Sequence, residues 1–148
     1  MTQFKYNDGG RADAGYRGHA GDCVCRAVAI AAQLPYAEVY ARLSEGNAKQ
    51  RKTKGEKKNS KSARNGISTH RKWFKDYMTE LGFKWVPTMQ IGSGCKVHLT
   101  ADELPSGRII CSVSRHYTAV VDGVINDTHD PSRDGSRCVY GYWHRVRQ

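Results

Sequence analysis

No apolar run in the chain approaches the roughly 18 residues a membrane-spanning helix needs. The opening stretch, MTQFKYNDGGRADAGYRG, lacks the apolar core of a secretory signal. These two absences set the expectation of a soluble protein that works in the cytoplasm. There is also no C-x-x-C pair. The five cysteines, Cys23, Cys25, Cys95, Cys111 and Cys138, are odd in number and scattered, which argues against a disulfide framework and a structural zinc site. Cys95 with His98 is the one close Cys/His pair, too few ligands for a metal. No metal and no cofactor is therefore expected, and Cys25, Cys95, Cys111 and Cys138 are read as packing residues. At 148 residues the chain is the size of one domain, which buries roughly 70% of its unfolded surface on folding.

Residues 46–65, GNAKQRKTKGEKKNSKSARN, contain no Val, Ile, Leu, Met or aromatic residue. Such a segment has nothing to bury and reads as a flexible insertion. It also holds eight Lys/Arg against one Glu, so it carries +7 of the chain's net +10. One basic loop is implied rather than a basic groove. A charge run of this kind is commonly a solvated surface. Its other reading is contact with phosphates or an acidic partner through Lys49, Arg51, Lys52, Lys54, Lys57, Lys58, Lys61 and Arg64. The absence of aromatics argues against a single-strand stacking platform.

The rest divides into helices followed by strands. Residues 1–21 are glycine-rich and read as an extended arm. Asp22 is placed to cap a helix running to about Leu34, apolar nearly all round and hence buried, with Pro35 ending it. YAEVYARLSEG reads as a second helix with Val39, Tyr40 and Leu43 facing in. A third, HRKWFKDYMTELG, is capped by Ser68 or Thr69 and stopped by Gly82; its Trp73, Phe74, Tyr77, Met78 and Leu81 form a core stripe. Strands follow at FKWVPT, at Arg108–Ser114, on both sides of Asp122-Gly123, and at RCVYGYWHRV. This order predicts an α+β domain with the helices packed on a small antiparallel sheet.

Two stretches carry chemistry. With Asp122-Gly123 as a two-residue turn, Val121 pairs with Val124, Thr118 faces Asp127, and His116 faces His129. His116 and Asp127 are then diagonal neighbours on one face, while Asn126 and Asp130 fall on the other. A slip of one residue would favour Asn126 instead. In GDCVCRAVAIAA, Cys23 opens the buried helix, where free N–H groups and the macrodipole favour a thiolate. Cys25 lies about 200° further round and points away. A thiol at a helix start, a distant His and a nearby acid form the set that cysteine hydrolases use. The His removes the thiol proton, the acid orients the His, and the Cys23 N–H faces the oxyanion.

On these residues the chain resembles a compact papain-like cysteine peptidase. The matching pieces are Asp22-Cys23, HYTAVV from His116, and VINDTHDPS. It is similar in particular to double-glycine leader peptidases and to uncharacterised phage-encoded papain-like proteins. The resemblance implies a single papain-like domain over 1–148 that cleaves a peptide or amide bond, in the host-cell cytoplasm if phage-encoded. It implies Cys23 as nucleophile and His116 as base. The sequence departs from the family at two points. Arg17 stands where those peptidases have the Gln of the oxyanion hole, which leaves Arg17, Asn7 and Gln90 as candidates. The family's Asp-Pro acid maps to Asp130, whereas the hairpin register favours Asp127. His19 is a rival base by proximity to Cys23; His98 and His129 read as surface or structural. Acyl transfer or deamidation would use the same residues. The alternative is a catalytically idle fold that binds nucleic acid or an acidic protein through the basic loop.

Overall fold

Helix α1 (Cys23–Ala32) is buried along its whole length except at Cys23 and Arg26. A helix apolar on all sides must be covered on all sides. Helix α2 (Tyr36–Lys49) and a six-stranded sheet supply most of that cover. Gln33, in the left-handed conformation, ends α1; its N–H and that of Leu34 take up carbonyls of the last turn. The computed structural model describes residues 3–16, 22–49, 67–90, 92 and 94–146. Among these, no helix is long and apolar enough to cross a membrane.

The remaining elements are helix α3 (Lys72–Glu80) and strands β1 (Gln3–Tyr6), β2 (Phe83–Pro87), β3 (Arg108–Val113), β4 (His116–Val121), β5 (Val124–Asp127) and β6 (Gly141–Arg145). The sheet order is β1-β5-β4-β3-β6-β2. Ile110, Tyr117, Ala119 and Trp143 face the helices and merge with their core, around Phe74, Met78 and Leu43. The other face buries Ile109, Cys111, Val113, Val120 and Ile125 under Leu99 and Val139. The α+β layout is as expected, and so is the Asp122-Gly123 turn. Both turn residues have positive φ (49° and 82°), Val121 pairs with Val124, and Ala119 pairs with Asn126.

Several expectations need correction. The sheet is mixed rather than antiparallel, because β1 joins β5 in parallel, Gln3 opposite Val124 through Tyr6 opposite Asp127. The helices between them make the crossover that a parallel pair requires. Helix α2 runs to Lys49 instead of stopping at Gly46. Gly46 is buried beneath the Trp73 ring, where a Cβ would come within 2.4 Å of Cε3, so this glycine is a contact point rather than a stop. Residues 46–49 of the basic insertion expected over 46–65 belong to α2, and residues 50–65 lie outside the described set. Helix α3 starts two turn residues later than expected, with Arg71 at its N-cap; no Ser or Thr side chain caps it. The last strand is interrupted: Cys138 forms an isolated bridge with His98, and the ladder resumes only at Gly141. That bridge brings Cys95 and Cys138 to a Cα separation of 5.7 Å, and the two form a disulfide rather than packing as free thiols.

Candidate functional site

Cys23 is the first residue of α1, and His116 is the first of β4, against which α1 packs. The His116 side chain and the Tyr117 backbone N–H both face the Cys23 thiol and favour its ionised form. On its far side, His116 Nε2 lies 2.7 Å from Asp127 Oδ2. With Nε2 occupied, Nδ1 is the nitrogen left for the thiol. Asp127 ends β5 and is 3% exposed. Its Oδ2 also accepts from Thr118 Oγ1 at 2.7 Å, and its Oδ1 from the Thr128 N–H at 2.7 Å. The Arg26 guanidinium stands 3.6 Å from Oδ1. The diagonal His116–Asp127 contact read from hairpin pairing is thus present, and Thr118, placed opposite Asp127 by the same arithmetic, bonds to it.

The electrostatics follow from these contacts. Burial pushes the Cys23 thiol up, but the His116 and Tyr117 hydrogen bonds and the charges of His116 and Arg26 outweigh it, leaving it below its ordinary value. Burial pushes His116 down, but the hydrogen bonds and charges of Asp127 and Cys23 raise it to about 9. Asp127 is likewise driven up by burial, then held below the usual carboxylate range by His116, Thr118 and the Thr128 N–H. The set favours a thiolate, an imidazolium and a carboxylate in a row.

Asp22 occupies the N-cap position of α1, but its side chain makes no cap bond. Its buried carboxylate instead accepts from Tyr36 Oη at 2.6 Å, pairs with Arg11 Nε at 2.9 Å, and pairs closely with Arg26 Nη1. Arg26 thereby spans two buried carboxylates, Asp22 beside the thiol and Asp127 behind the imidazole. Sequence reasoning missed Arg26, although a signal was present. A single charge inside an otherwise apolar buried helix has to meet a buried opposite charge.

Other candidates fall away from the centre. Asn126 points to the opposite face of β5 from Asp127, where its Oδ1 accepts from Asn7 Nδ2 at 3.1 Å and its Nδ2 donates to Val124 O. Both asparagines line a separate cleft beside Ala29 and Gln33, about two turns down α1 from Cys23. Asn126 is therefore no stand-in acid and Asn7 no oxyanion donor. Asp130 is exposed and accepts the Ser132 N–H at 2.9 Å, a local turn contact that takes it out of the acid role. Gln90 is exposed beyond β2 and does not line the Cys23 cleft. Arg17 and His19 lie outside the described residues. So do Arg51, Lys52, Lys54, Lys57, Lys58, Lys61 and Arg64 of the basic loop. Lys49 ends α2 and pairs with Glu45 at 2.8 Å. His129 is exposed, its ring 5.1 Å from that of His116. His98 bonds Glu103 at 3.2 Å. Among the described residues, no three His, Cys, Asp or Glu side chains are grouped to hold a metal.

Cys23 and His116 open onto a cleft of about 480 Å³, walled by Val24, Ile67, Thr69, Ser112 and Tyr140 among others. The nucleophile candidate is therefore reachable from solvent, while Cys25 and Cys111 are fully buried. Comparison with known proteins found no match to any family model, curated protein or solved structure.

Proposed function

We propose that this protein is a thiol-dependent hydrolase of peptide or amide bonds, built on a papain-like arrangement, with Cys23, His116 and Asp127 as its catalytic residues. The observation that carries the reading is the position of His116, which shares a cleft with the half-buried Cys23 thiol and is bonded to the buried Asp127 carboxylate on its other side. In the reaction, the Cys23 thiolate attacks the carbonyl carbon of the scissile bond. His116, already protonated, gives its proton to the leaving amine as the tetrahedral intermediate collapses to a thioester. His116 then takes a proton from water, the hydroxide attacks the thioester, and the thiol is released. Asp127 fixes the imidazole orientation and stabilises its charge throughout. The backbone N–H of Cys23, which the helix's own ladder does not use, is one oxyanion donor. An acyl acceptor other than water would give transfer on the same residues.

The cytoplasm is the compartment proposed for this activity. There the Cys95–Cys138 bond would meet a reducing environment. None of the triad's hydrogen bonds involves either cysteine, so the proposed chemistry does not depend on the disulfide.

The test is site-resolved alkylation by iodoacetamide from pH 5 to 10, in the parent and in His116→Ala. Cys23 should react at pH 6 at least about tenfold faster in the parent than in the variant, because only the paired thiol is ionised there. Reaction of Cys23 at the same rate in both proteins would falsify the thiolate–imidazolium pair and the hydrolase reading with it. Where the pair is found, Cys23→Ser should abolish cleavage of any peptide the parent turns over.

A further inference from the structure

The cleft that holds Cys23 does not end at the catalytic residues. A second cleft of about 310 Å³ adjoins it, and the two share Thr69, Ser112 and Tyr117 as walls. Tyr117 is the partition. Its backbone N–H faces the Cys23 sulfur, while its hydroxyl, at the far end of the ring, meets Thr69, Ser112 and the Trp143 indole N–H. The floor of the second cleft is aromatic and stiff. Trp85 packs on Trp143 with ring centroids 5.2 Å apart, and Phe74 sits 6.2 Å from both Trp143 and Tyr117. Trp85, which lines this second cleft and not the first, keeps 38% of its surface exposed.

The size of this cleft selects one side chain rather than a whole ligand. It lies at the lower limit of small-molecule pockets and holds the volume of about ten waters. The charge at its rim has one sign. Lys75 lines the second cleft and Arg115 the first, while no Asp or Glu lines either among the described residues. An extended peptide advances about 3.4 Å per residue, and the two clefts share Thr69, Ser112 and Tyr117, so neighbouring residues of one peptide can occupy both.

Building on the hydrolase reading above, we propose that the second cleft is a specificity pocket. It takes a bulky aromatic side chain of a peptide substrate, one or two residues from the scissile bond, and its basic rim favours acidic residues next to that side chain. The substrate class is thus an acidic peptide with an aromatic anchor. Trp85 supplies the stacking surface, backed by the buried Trp143 ring, and Lys75 supplies the charge preference.

The test separates this pocket from the chemistry. The full-length Cys23→Ala variant, which cannot turn over, is titrated into fluorescein-labelled Glu-Phe-Gly-Gly-Phe-Glu-amide and read by anisotropy. Comparison peptides carry Ala for both Phe residues, or Lys for both Glu residues. The Phe peptide should bind at least about tenfold more tightly than the Ala peptide, from the added apolar burial. It should also bind more tightly than the Lys peptide, by a margin that shrinks with salt. Trp85→Ala should cut the Phe preference below about threefold. Thr69→Trp, which fills the cleft without removing its floor, should do the same, so the result does not hang on one variant. Equal affinity for the Phe and Ala peptides, or a preference untouched by both variants, overturns the pocket. Iodoacetamide reactivity of Cys23 in the parent is read separately. An unreactive Cys23 with an intact Phe preference sinks the hydrolase and leaves the pocket standing; a reactive Cys23 with no preference sinks only the pocket.

Discussion

Cys23 and Cys25 sit two residues apart on one helix, yet their thiols are driven in opposite directions. Cys25 is fully buried, and its thiol donates to the Tyr36 carbonyl at 3.9 Å. Burial pushes its pKa up to about 12, against the partial relief of nearby groups. Burial raises Cys23 as well, but the imidazole, a backbone N–H and a guanidinium more than reverse it. Cys111, in the centre of β3, has burial alone and is pushed up further still. Reactivity is therefore not a property of the helix start by itself. It comes from the hairpin that presents His116 to that helix start, and from the carboxylates that hold the cations nearby.

The widest separation between the two thiols should come from Arg26, which joins the halves of the site. In Arg26→Met the carboxylate of Asp127 loses its guanidinium, and that of Asp22 keeps only Arg11 and Tyr36. Breaking a buried pair from one side costs about 3–5 kcal/mol, so the urea midpoint should fall steeply. Cys23 alkylation at pH 6 should fall in parallel, drawing Cys23 toward Cys25. If stability and reactivity both hold, Arg26 is a spectator. A smaller loss is expected for Cys138→Ser, which opens a cross-link between residues 43 apart in sequence. The oxidised protein should lose about 2–4 kcal/mol, with no loss in reductant. Cys23 alkylation should stay within about twofold, because the disulfide touches no member of the triad. A larger change would mean that the sheet face opposite the helices helps to set the site.

How much of this could be read from the sequence depends on how local the signal is. The Asp122-Gly123 turn fixes the hairpin register through a backbone rule, and from it follow the His116–Asp127 and Thr118–Asp127 contacts. The burial of α1 follows from its composition, as does the opposed pointing of Cys23 and Cys25 from helical geometry. Strand β1 gave no such signal. Its side chains are exposed on both faces, and its partner β5 lies more than a hundred residues away. The expected range of α2 ends short, at Gly46, because sequence cannot show the Trp73 ring resting on that glycine. The Cys95–Cys138 pair was hidden for the same reason: an isolated bridge joins them, with no periodic pattern on either side. Asp22 was assigned to a cap by its position, yet its carboxylate follows the stronger pull of two guanidiniums and a phenol.

The next contrast concerns alkaline pH, and the sign follows from the shifts. Cys25 has a folded pKa of about 12 against an ordinary 9. Its contribution to stability is complete below about pH 9 and is lost as the pH rises toward 12, because the unfolded chain ionises first. Cys23 runs the other way: its folded pKa is depressed, so its contribution is present above the ordinary value and is lost as the pH falls. At pH 11 the Cys25 shift corresponds to roughly 2–3 kcal/mol of lost stability. Unfolding of Cys25→Ala should therefore show a shallower decline between pH 9 and 11 than the parent, whatever its stability at pH 7. Equal slopes in the two proteins would place the alkaline sensitivity elsewhere, with the buried Cys111 as the next group to examine.

The finest test addresses Thr118, the residue that shares Asp127 Oδ2 with His116. Thr118→Val keeps the shape and removes one donor at 2.7 Å from a buried carboxylate. The remaining donors, His116, the Thr128 N–H and Arg26, still satisfy that group, so the stability cost should be near 1 kcal/mol. The consequence for the site is directional. A carboxylate with one donor fewer is a stronger acceptor for His116, so the imidazolium is held at least as tightly. What is lost is orientation, since Thr118 fixes the plane of the carboxylate. A slightly wider pH span for the imidazolium is therefore expected, together with an alkylation rate at Cys23 reduced by less than about threefold. A fall in the imidazolium pKa instead, read by NMR titration of His116, would mean that Thr118 keeps the carboxylate in reach rather than merely sharing it. Asp127 would then owe its place to β4 as much as to its own strand.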